Sequence, residues 1–192
     1  MTAIASHIVV TCWFIFIFVW VVSASRTKRT VERQSLASAL AHRIPIGLGW
    51  WLLILPKWSR IADRQVIPRT AFFQLTGAVI CLYGLFFTLW ARRTLAGNWS
   101  SDVTFKRDHE LIRTGPYRIV RHPIYTGLLV MVLGSAIQIG QVRGILSLFL
   151  VTIGFWIKLS QEERLMTQHF PEAYPGYQRE VKALIPFVIL YA

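Results

Sequence analysis

Long apolar runs separated by short polar segments dominate this chain, and they predict membrane-spanning helices. The runs cover about residues 8–22, 44–58, 71–91, 125–139 and 145–159. Each approaches the roughly 20 residues that a helix needs to cross the hydrocarbon core of a bilayer. The pattern predicts an all-α integral membrane protein with about five transmembrane helices.

The second run and the tail are less regular than the other segments. The second run contains helix breakers and three candidate interfacial anchors, so it predicts a tilted or re-entrant helix: Pro45, Gly47, Gly49, Pro56, Trp50, Trp51 and Trp58. The tail, residues 161–192, predicts a helix to Phe170 and then a break at Pro171, Pro175 and Gly176. We expect the tail to form a helical cap on the cytoplasmic side.

The chain carries a strong positive charge. The position of the basic residues between the apolar runs indicates that they lie at the membrane surface. The 192 residues are 54% hydrophobic, with a formal net charge of +12 at pH 7. Lys and Arg lie between the apolar runs, where cytoplasmic retention and anionic lipid explain them better than nucleic-acid binding does. Most lie after the first run, in residues 92–121 and in the tail, so these segments are predicted to be cytoplasmic. The basic segment 57–69, on the opposite side, works against this orientation.

The chain divides into a first region of about three spans, residues 1–97, and a second region, residues 98–192. The second region holds a two-span hairpin and two polar clusters, residues 109–127 and 158–164. Five spans place both clusters on the same side of the membrane. The two cysteines, Cys12 and Cys81, lie inside apolar runs, so they predict core packing and neither a disulfide framework nor a zinc site.

The first cluster ends in Arg121-His122-Pro123, directly before the fourth run. Proline favours the first turn of a helix, and the free backbone donors there can hold an anion such as a carboxylate together with both basic side chains. A basic stop at the membrane surface explains the same residues equally well. Arg113 and Arg118 are predicted to be lipid-facing charges.

The second cluster joins a cation to two acids. Lys158 lies four residues before Glu162, on the same helix face, and Glu163 follows. Glu162 is a candidate partner for a cationic ligand, or else one of a pair that caps the helix as it leaves the membrane. The tail aromatics attract cations but also suit a membrane interface: Phe170, Tyr174, Tyr177 and Phe187. No nucleotide-binding or metal motif accompanies them.

These residues resemble the isoprenylcysteine carboxyl methyltransferase family over about residues 98–187. The first family motif, H-x-L-[VI]-x-x-G-x-Y-x-x-x-R-H-P-x-Y-x-G, is matched by His109, Leu111, Ile112, Gly115, Tyr117, Arg121, His122, Pro123, Tyr125 and Gly127. The second is similar to Glu162, Glu163, Phe170, Tyr174, Tyr177, Ile185, Pro186 and Phe187. The first ninety or so residues resemble the family only in being spans.

The resemblance implies a membrane methyltransferase that uses S-adenosylmethionine (SAM). By position, the cofactor-binding residues would be His109, Glu110, Leu111, Ile112, Tyr117, His122, Pro123, Ile124, Tyr125 and Glu162. The resemblance also implies that Lys158 is the nearest equivalent of a substrate-contacting charge. A carboxylate acceptor is already ionised at neutral pH and needs only a cation to place it, for which Arg121 and Lys158 are candidates. An amine or thiol acceptor would need a base, such as Glu163 or a histidine.

Several functions are therefore compatible with the sequence. The first is methylation of a lipophilic carboxylate, such as a prenylcysteine, that enters from the bilayer. A second is methylation of a phospholipid amine or a small thiol. A third is a non-catalytic membrane protein that binds lipid or a partner, and a fourth is a membrane reductase that uses NADPH.

Overall fold

The computed structural model describes residues 2–24, 30–33, 35–54, 59–96, 99, 104–106 and 111–185, and the structural statements below concern these residues. Six helices account for most of them: α1 Thr2–Ala24, α2 Leu36–Ile54, α3 Ala71–Leu95, α4 Pro123–Ile139, α5 Val142–His169 and α6 Ala173–Glu180. A 3₁₀ turn, Gly115–Arg118, precedes α4. Two short strands, β1 Thr30–Arg33 and β2 Thr104–Lys106, pair antiparallel.

The helical membrane fold predicted from the apolar runs is confirmed. Three helical segments of the described chain are long and apolar enough to cross a membrane, namely Ala3–Ser23, Ala71–Leu95 and Val142–His169. α4 is a shorter apolar helix. The protein is therefore a multi-pass membrane protein. The small β1–β2 sheet was not anticipated from the hydrophobic pattern.

The prediction for the second apolar run is wrong about where the helix begins. α2 begins at Leu36, well before the predicted residue 44, and continues through Pro45. Ser35 caps it, because its hydroxyl accepts a hydrogen bond from the Ser38 backbone N–H at 3.2 Å. Packing against α5 holds the helix together across the proline. Pro56 and Trp58 lie outside the described residues.

The predicted break in the tail is also shorter than expected. α5 ends at His169, as predicted to within one residue, and Pro171 lies in the turn after it. Pro175 and Gly176, however, lie in the first turns of α6. Backbone N–H groups in a first helical turn have no intrahelical acceptor, so a proline there removes nothing that the helix needs.

Small residues let the helices pack at close range in two antiparallel pairs, α3 with α4 and α2 with α5. A Cβ atom placed on Gly77 or Gly84 of α3 would lie 2.6 Å from a backbone oxygen of Gly134 or Gly127 of α4. The tight turn after α4 requires Gly140, whose φ of 66° is in the left-handed region. Cys12 and Cys81 are buried and free, as predicted.

The helix order brings both polar clusters to one end of the bundle. α4 begins at this end and α5 finishes there, beside α6 and the 3₁₀ turn. Two backbone hydrogen bonds, from Arg121 to Lys182 at 2.8 Å and from His122 to Ala183 at 3.0 Å, join the start of α4 to the tail. This end, hereafter the site end, is where the candidate functional residues meet. The division at residue 97 stays a prediction.

Candidate functional site

Glu163 of α5 is the centre of a buried hydrogen-bond cluster. Its Oε1 accepts hydrogen bonds from Arg121 Nε at 2.8 Å and Nη2 at 2.6 Å, and it lies 3.0 Å from His122 Nε2. Its Oε2 accepts from Gln178 Nε2 at 3.0 Å. The side chains of Arg121 and Glu163 are 7% and 6% exposed. The ion pair between Arg121 and Glu163 is therefore buried, and it is stable there because each charge has several hydrogen-bond partners.

Arg121 also fastens the tail over the start of α4. Its Nη1 donates to the carbonyl oxygen of Gln178 at 3.1 Å and to that of Val181. Thr126, one turn into α4, donates to the carbonyl oxygen of Leu184 at 2.7 Å. The sequence offered Arg121 as an anchor for an external anion, but here its donors are directed at Glu163 and at tail carbonyls.

Glu162 has a more open environment than Glu163. Its Oε1 accepts a hydrogen bond from the Tyr125 hydroxyl at 2.6 Å, and its Oε2 lies 3.6 Å from His122 Nδ1. The Glu162 side chain is 23% exposed, compared with 6% for Glu163. Of the two adjacent carboxylates, Glu162 is thus the one that a ligand can reach.

His122 lies between the two glutamates at the N-terminus of α4. Burial alone would lower its pKa, but the hydrogen bonds and charges of Glu162 and Glu163 outweigh burial and raise the pKa above its ordinary value. Because each ring nitrogen faces a carboxylate, both nitrogens act as donors in the charged form. The His122 ring therefore ties α4 to α5.

Aromatic rings form one wall beside Glu162. The His122 and Tyr125 rings stack with centroids 5.7 Å apart, and Tyr125 stacks on Phe155 at 4.8 Å. Lys158 Nζ lies 5.3 Å from the centroid of the Tyr125 ring, and this lysine is 8% exposed. The wall therefore ends in a buried ammonium on the same helix face as Glu162.

Two tyrosines of the predicted set anchor the 3₁₀ turn to the tail. Tyr177 donates a hydrogen bond from its hydroxyl to the backbone oxygen of Tyr117 at 2.5 Å. Burial raises the pKa of both phenols well above the ordinary value, so both stay neutral. Arg113 is exposed and pairs with Glu180, with its guanidinium over the Tyr177 ring.

The remaining predicted residues lie at different distances from this cluster. Leu111 and Ile112 are half-buried, and Ile112 packs against the apolar core. Pro123 and Ile124 are buried in the first turn of α4. His109 and Glu110, together with Pro186 and Phe187, lie outside the described residues. No finding tests whether any of these residues binds a cofactor, so these assignments stay predictions.

One residue that the sequence did not indicate also reaches the site end. His42 of α2 is 1% exposed, and its Nδ1 lies 3.0 Å from Gln161 Oε1 of α5. The first region of the chain thus contributes to the cluster. A lone histidine at the start of an apolar run carries no signal in the sequence, and only the pairing of α2 with α5 reveals its position.

A family model described as phospholipid methyltransferase matches residues 72–173, more than half of the chain. The chain belongs to the phospholipid methyltransferase family. The matched segment includes α3, α4 and α5 and hence both polar clusters. Membership of this family implies a methyl donor.

Curated relatives of this phospholipid methyltransferase family member confirm the resemblance seen in its two motifs. It is 30% identical over 87 residues to a probable protein-S-isoprenylcysteine O-methyltransferase of Oryza sativa subsp. indica, covering 45% of this chain and 46% of that protein. It is 32% identical over 94 residues to the protein-S-isoprenylcysteine O-methyltransferase of Schizosaccharomyces pombe, covering 47% and 40%. With the Mus musculus protein of the same name, identity is 23% over 148 residues, covering 73% and 52%. The chain spans about half the length of the curated relatives it matches.

Proposed function

We propose that this protein transfers a methyl group from SAM to the carboxylate of a lipophilic acceptor, such as a prenylcysteine, that enters from the bilayer. The active site would face the cytoplasm. Family membership and the names of the relatives support the reaction class. The observation that carries the proposal is the reachable carboxylate of Glu162, which is held by Tyr125 of the aromatic wall and lies one helical turn after the buried ammonium of Lys158.

The chemistry of these side chains fits a sulfonium donor. Tyr125 holds one oxygen of Glu162 and His122 faces the other, and the carboxylate retains lone pairs for a cationic ligand. The stacked rings of Tyr125 and Phe155 offer the flat apolar surface that accompanies recognition of onium groups. When bound, SAM supplies an electrophilic methyl group on a positively charged sulfur.

The chain's own residues would then act by positioning and by excluding water. Glu162 holds the donor by charge, and Tyr125 fixes the orientation of that carboxylate. Lys158 provides the cation that places an acceptor carboxylate for in-line attack. Because a carboxylate is ionised at neutral pH, alignment and desolvation are the contributions required of the protein.

The geometry changes two of the roles that the sequence suggested. Glu163 accepts hydrogen bonds from Arg121 and Gln178 and contacts His122, so we assign it to holding the site together rather than to proton abstraction. Arg121 is engaged by the same cluster and by the tail, so we assign the anchoring of the acceptor to the Lys158 ammonium on the face of α5 that carries Glu162. An amine acceptor, which the family description would suit, would have to find its base elsewhere.

Glu162→Gln tests the donor site. The amide keeps the shape and the hydrogen bond to Tyr125 but removes the charge, so we expect SAM to bind at least about tenfold more weakly, as expected for loss of a hydrogen-bonded charge contact. The measurement is binding of labelled SAM to protein in detergent or nanodiscs. Glu172→Gln, on the exposed turn before α6, is the matched control and should bind SAM normally. Equal affinity in both variants would contradict the assignment.

The acceptor class is tested by the chemistry of the product. Protein in nanodiscs is incubated with methyl-labelled SAM and either a farnesylated cysteine with a free carboxylate or a phosphatidylethanolamine. We expect label in the first product only, released as methanol by mild base because the product is an ester. Label in the second product, stable to base, would instead favour an amine acceptor.

A further inference from the structure

His42 lies on a helix outside both family motifs, yet it contacts the functional face of α5. It is almost fully buried, and its Nδ1 lies 3.0 Å from Gln161 Oε1. Gln161 is the residue directly before Glu162 and lies three positions after Lys158, on the same side of the helix as this lysine. The contact therefore joins α2 to the segment of α5 that carries the donor and acceptor contacts.

The hydrogen bonds of Gln161 determine the tautomer of His42. Gln161 Nε2 donates to the backbone oxygen of Ser38 at 3.1 Å, and that oxygen can only accept. The other atom of the amide, Oε1, is therefore the carbonyl oxygen, which also can only accept. His42 must donate to it from Nδ1, so in the neutral imidazole Nε2 carries a lone pair.

Two groups near Lys158 suit a cation. One is the face of the Tyr125 ring, 5.3 Å from Nζ. His42 is within electrostatic range of Lys158 and of Glu162. A neutral imidazole with a lone pair on Nε2 can accept a hydrogen bond from an ammonium, whereas a charged imidazolium would repel it.

We propose that His42 is a positioning residue that uses Nδ1 to hold Gln161 and Nε2 to orient the Lys158 ammonium toward the methyl acceptor. This inference rests on the proposed function, because it assigns Lys158 to the acceptor. His42 thereby extends the site to α2, a helix of the first region of the chain, while Lys158 places the acceptor. His42 does not itself touch the reacting atoms.

Two substitutions separate the roles of the two ring nitrogens. In His42→Asn the amide reaches only to the place of Nδ1, so the bond to Gln161 is kept and the acceptor at Nε2 is lost. In His42→Gln the amide extends to the place of Nε2, so an acceptor for Lys158 is kept. A positioning role predicts that His42→Asn raises KM for the farnesylated carboxylate about tenfold or more, the worth of a hydrogen bond to a charged group, and that His42→Gln restores most of the loss. SAM affinity should stay the same in both.

A second measurement does not depend on turnover. Reductive methylation of Lys158 with formaldehyde and a borane, followed by mass spectrometry, reports how firmly the amine is held. We expect faster modification in His42→Asn than in the wild type, and a rate close to the wild type in His42→Gln. If the wild type transfers no methyl group but the lysine rates follow this order, the proposed function fails, while the contact between His42 and Lys158 stands.

Other outcomes would overturn the inference. A purely structural His42 would give the reverse order, with His42→Asn close to the wild type and His42→Gln impaired in both SAM binding and thermal stability. If His42→Asn abolished methylation of an amine acceptor while the reactivity of Lys158 stayed unchanged, His42 would be a base rather than a positioning residue.

Discussion

At the scale of single residues, adjacent carboxylates at the site end have opposite surroundings. Successive positions of an α-helix point about 100° apart, so Glu163 turns into the packed interface with α4 and the tail while Glu162 turns toward the open side. Glu163 is surrounded by donors and fixes three segments in place. Glu162 has fewer protein partners and is reachable. Glu163, which is buried and fully paired, holds the site together. Glu162, which a ligand can reach, remains able to bind that ligand.

Between these acids, His122 makes stability depend on pH. Its pKa is raised in the folded protein, so its charged form stabilises the fold fully below the ordinary value of about 6.5. That contribution is lost as pH rises from there through the raised pKa. We expect the wild type to be more stable than His122→Gln by about 2 kcal/mol near pH 6, the worth of charge-assisted hydrogen bonds, and the difference to shrink toward pH 9.

Thermal unfolding in detergent, followed across this pH range, measures the difference. The exposed His7 provides a control, because His7→Gln removes an imidazole from the surface of α1 and should change the midpoint little at any pH. The range ends at pH 9 so that the tyrosines remain neutral. A gap between wild type and His122→Gln that is constant from pH 6 to pH 9 would show that His122 does not titrate in this range and would contradict the prediction.

At the scale of elements, the periodicity of apolar residues located the long helices but not all their ends. α3 and α5 begin within three residues of the predicted positions, because polar or turn-forming residues flank their apolar runs. α2 was misplaced because its first two turns, residues 36–43, were grouped with the basic segment before the apolar run, although their Leu and Ala residues favour a helix. The β1–β2 pairing is a tertiary contact with no local signature.

Close approach of α3 and α4 is the packing feature most open to test. A Cβ on Gly84 would lie 2.6 Å from the backbone oxygen of Gly127 and 2.7 Å from the backbone nitrogen of Met131. Backbone atoms cannot move aside without separating the helices, so we expect Gly84→Ala to cost about 1–3 kcal/mol. The variant should also weaken SAM binding, since α4 carries His122 and Tyr125.

Gly47→Ala is the matched control for that substitution. A Cβ at Gly47, in the exposed part of α2, meets nothing within 4 Å. Alanine is the better helix former by roughly 1 kcal/mol, so this variant should be as stable as the wild type or slightly more stable. If both alanine variants unfolded at the same temperature as the wild type, close α3–α4 packing would be refuted.

At the scale of the whole molecule, the site is assembled from parts that are distant in the chain. The tail crosses the start of α4 through Arg121, and α2 reaches α5 through His42. The sequence predicted that the two polar clusters share an end, because alternating helices require it. It could not predict that the first region joins them, since that contact depends on which helices become neighbours. Both motifs lie after the predicted boundary at residue 97, whereas His42, which reaches the site end, lies before it.

Because successive helices run in opposite directions, the orientation of the protein in the membrane can be tested. Arg64, in the segment between α2 and α3, and Glu172, before α6, are exposed at opposite ends of the bundle. The native cysteines are buried, so Arg64→Cys and Glu172→Cys each add one reactive thiol. Because the greater share of Lys and Arg lies at the site end, we expect a membrane-impermeant maleimide to label residue 172 only from the cytoplasmic side and residue 64 only from the opposite side. Labelling of both from one side would contradict the odd number of crossings. Reversed labelling would retain the fold but move the site, and with it the source of SAM, to the other face of the membrane.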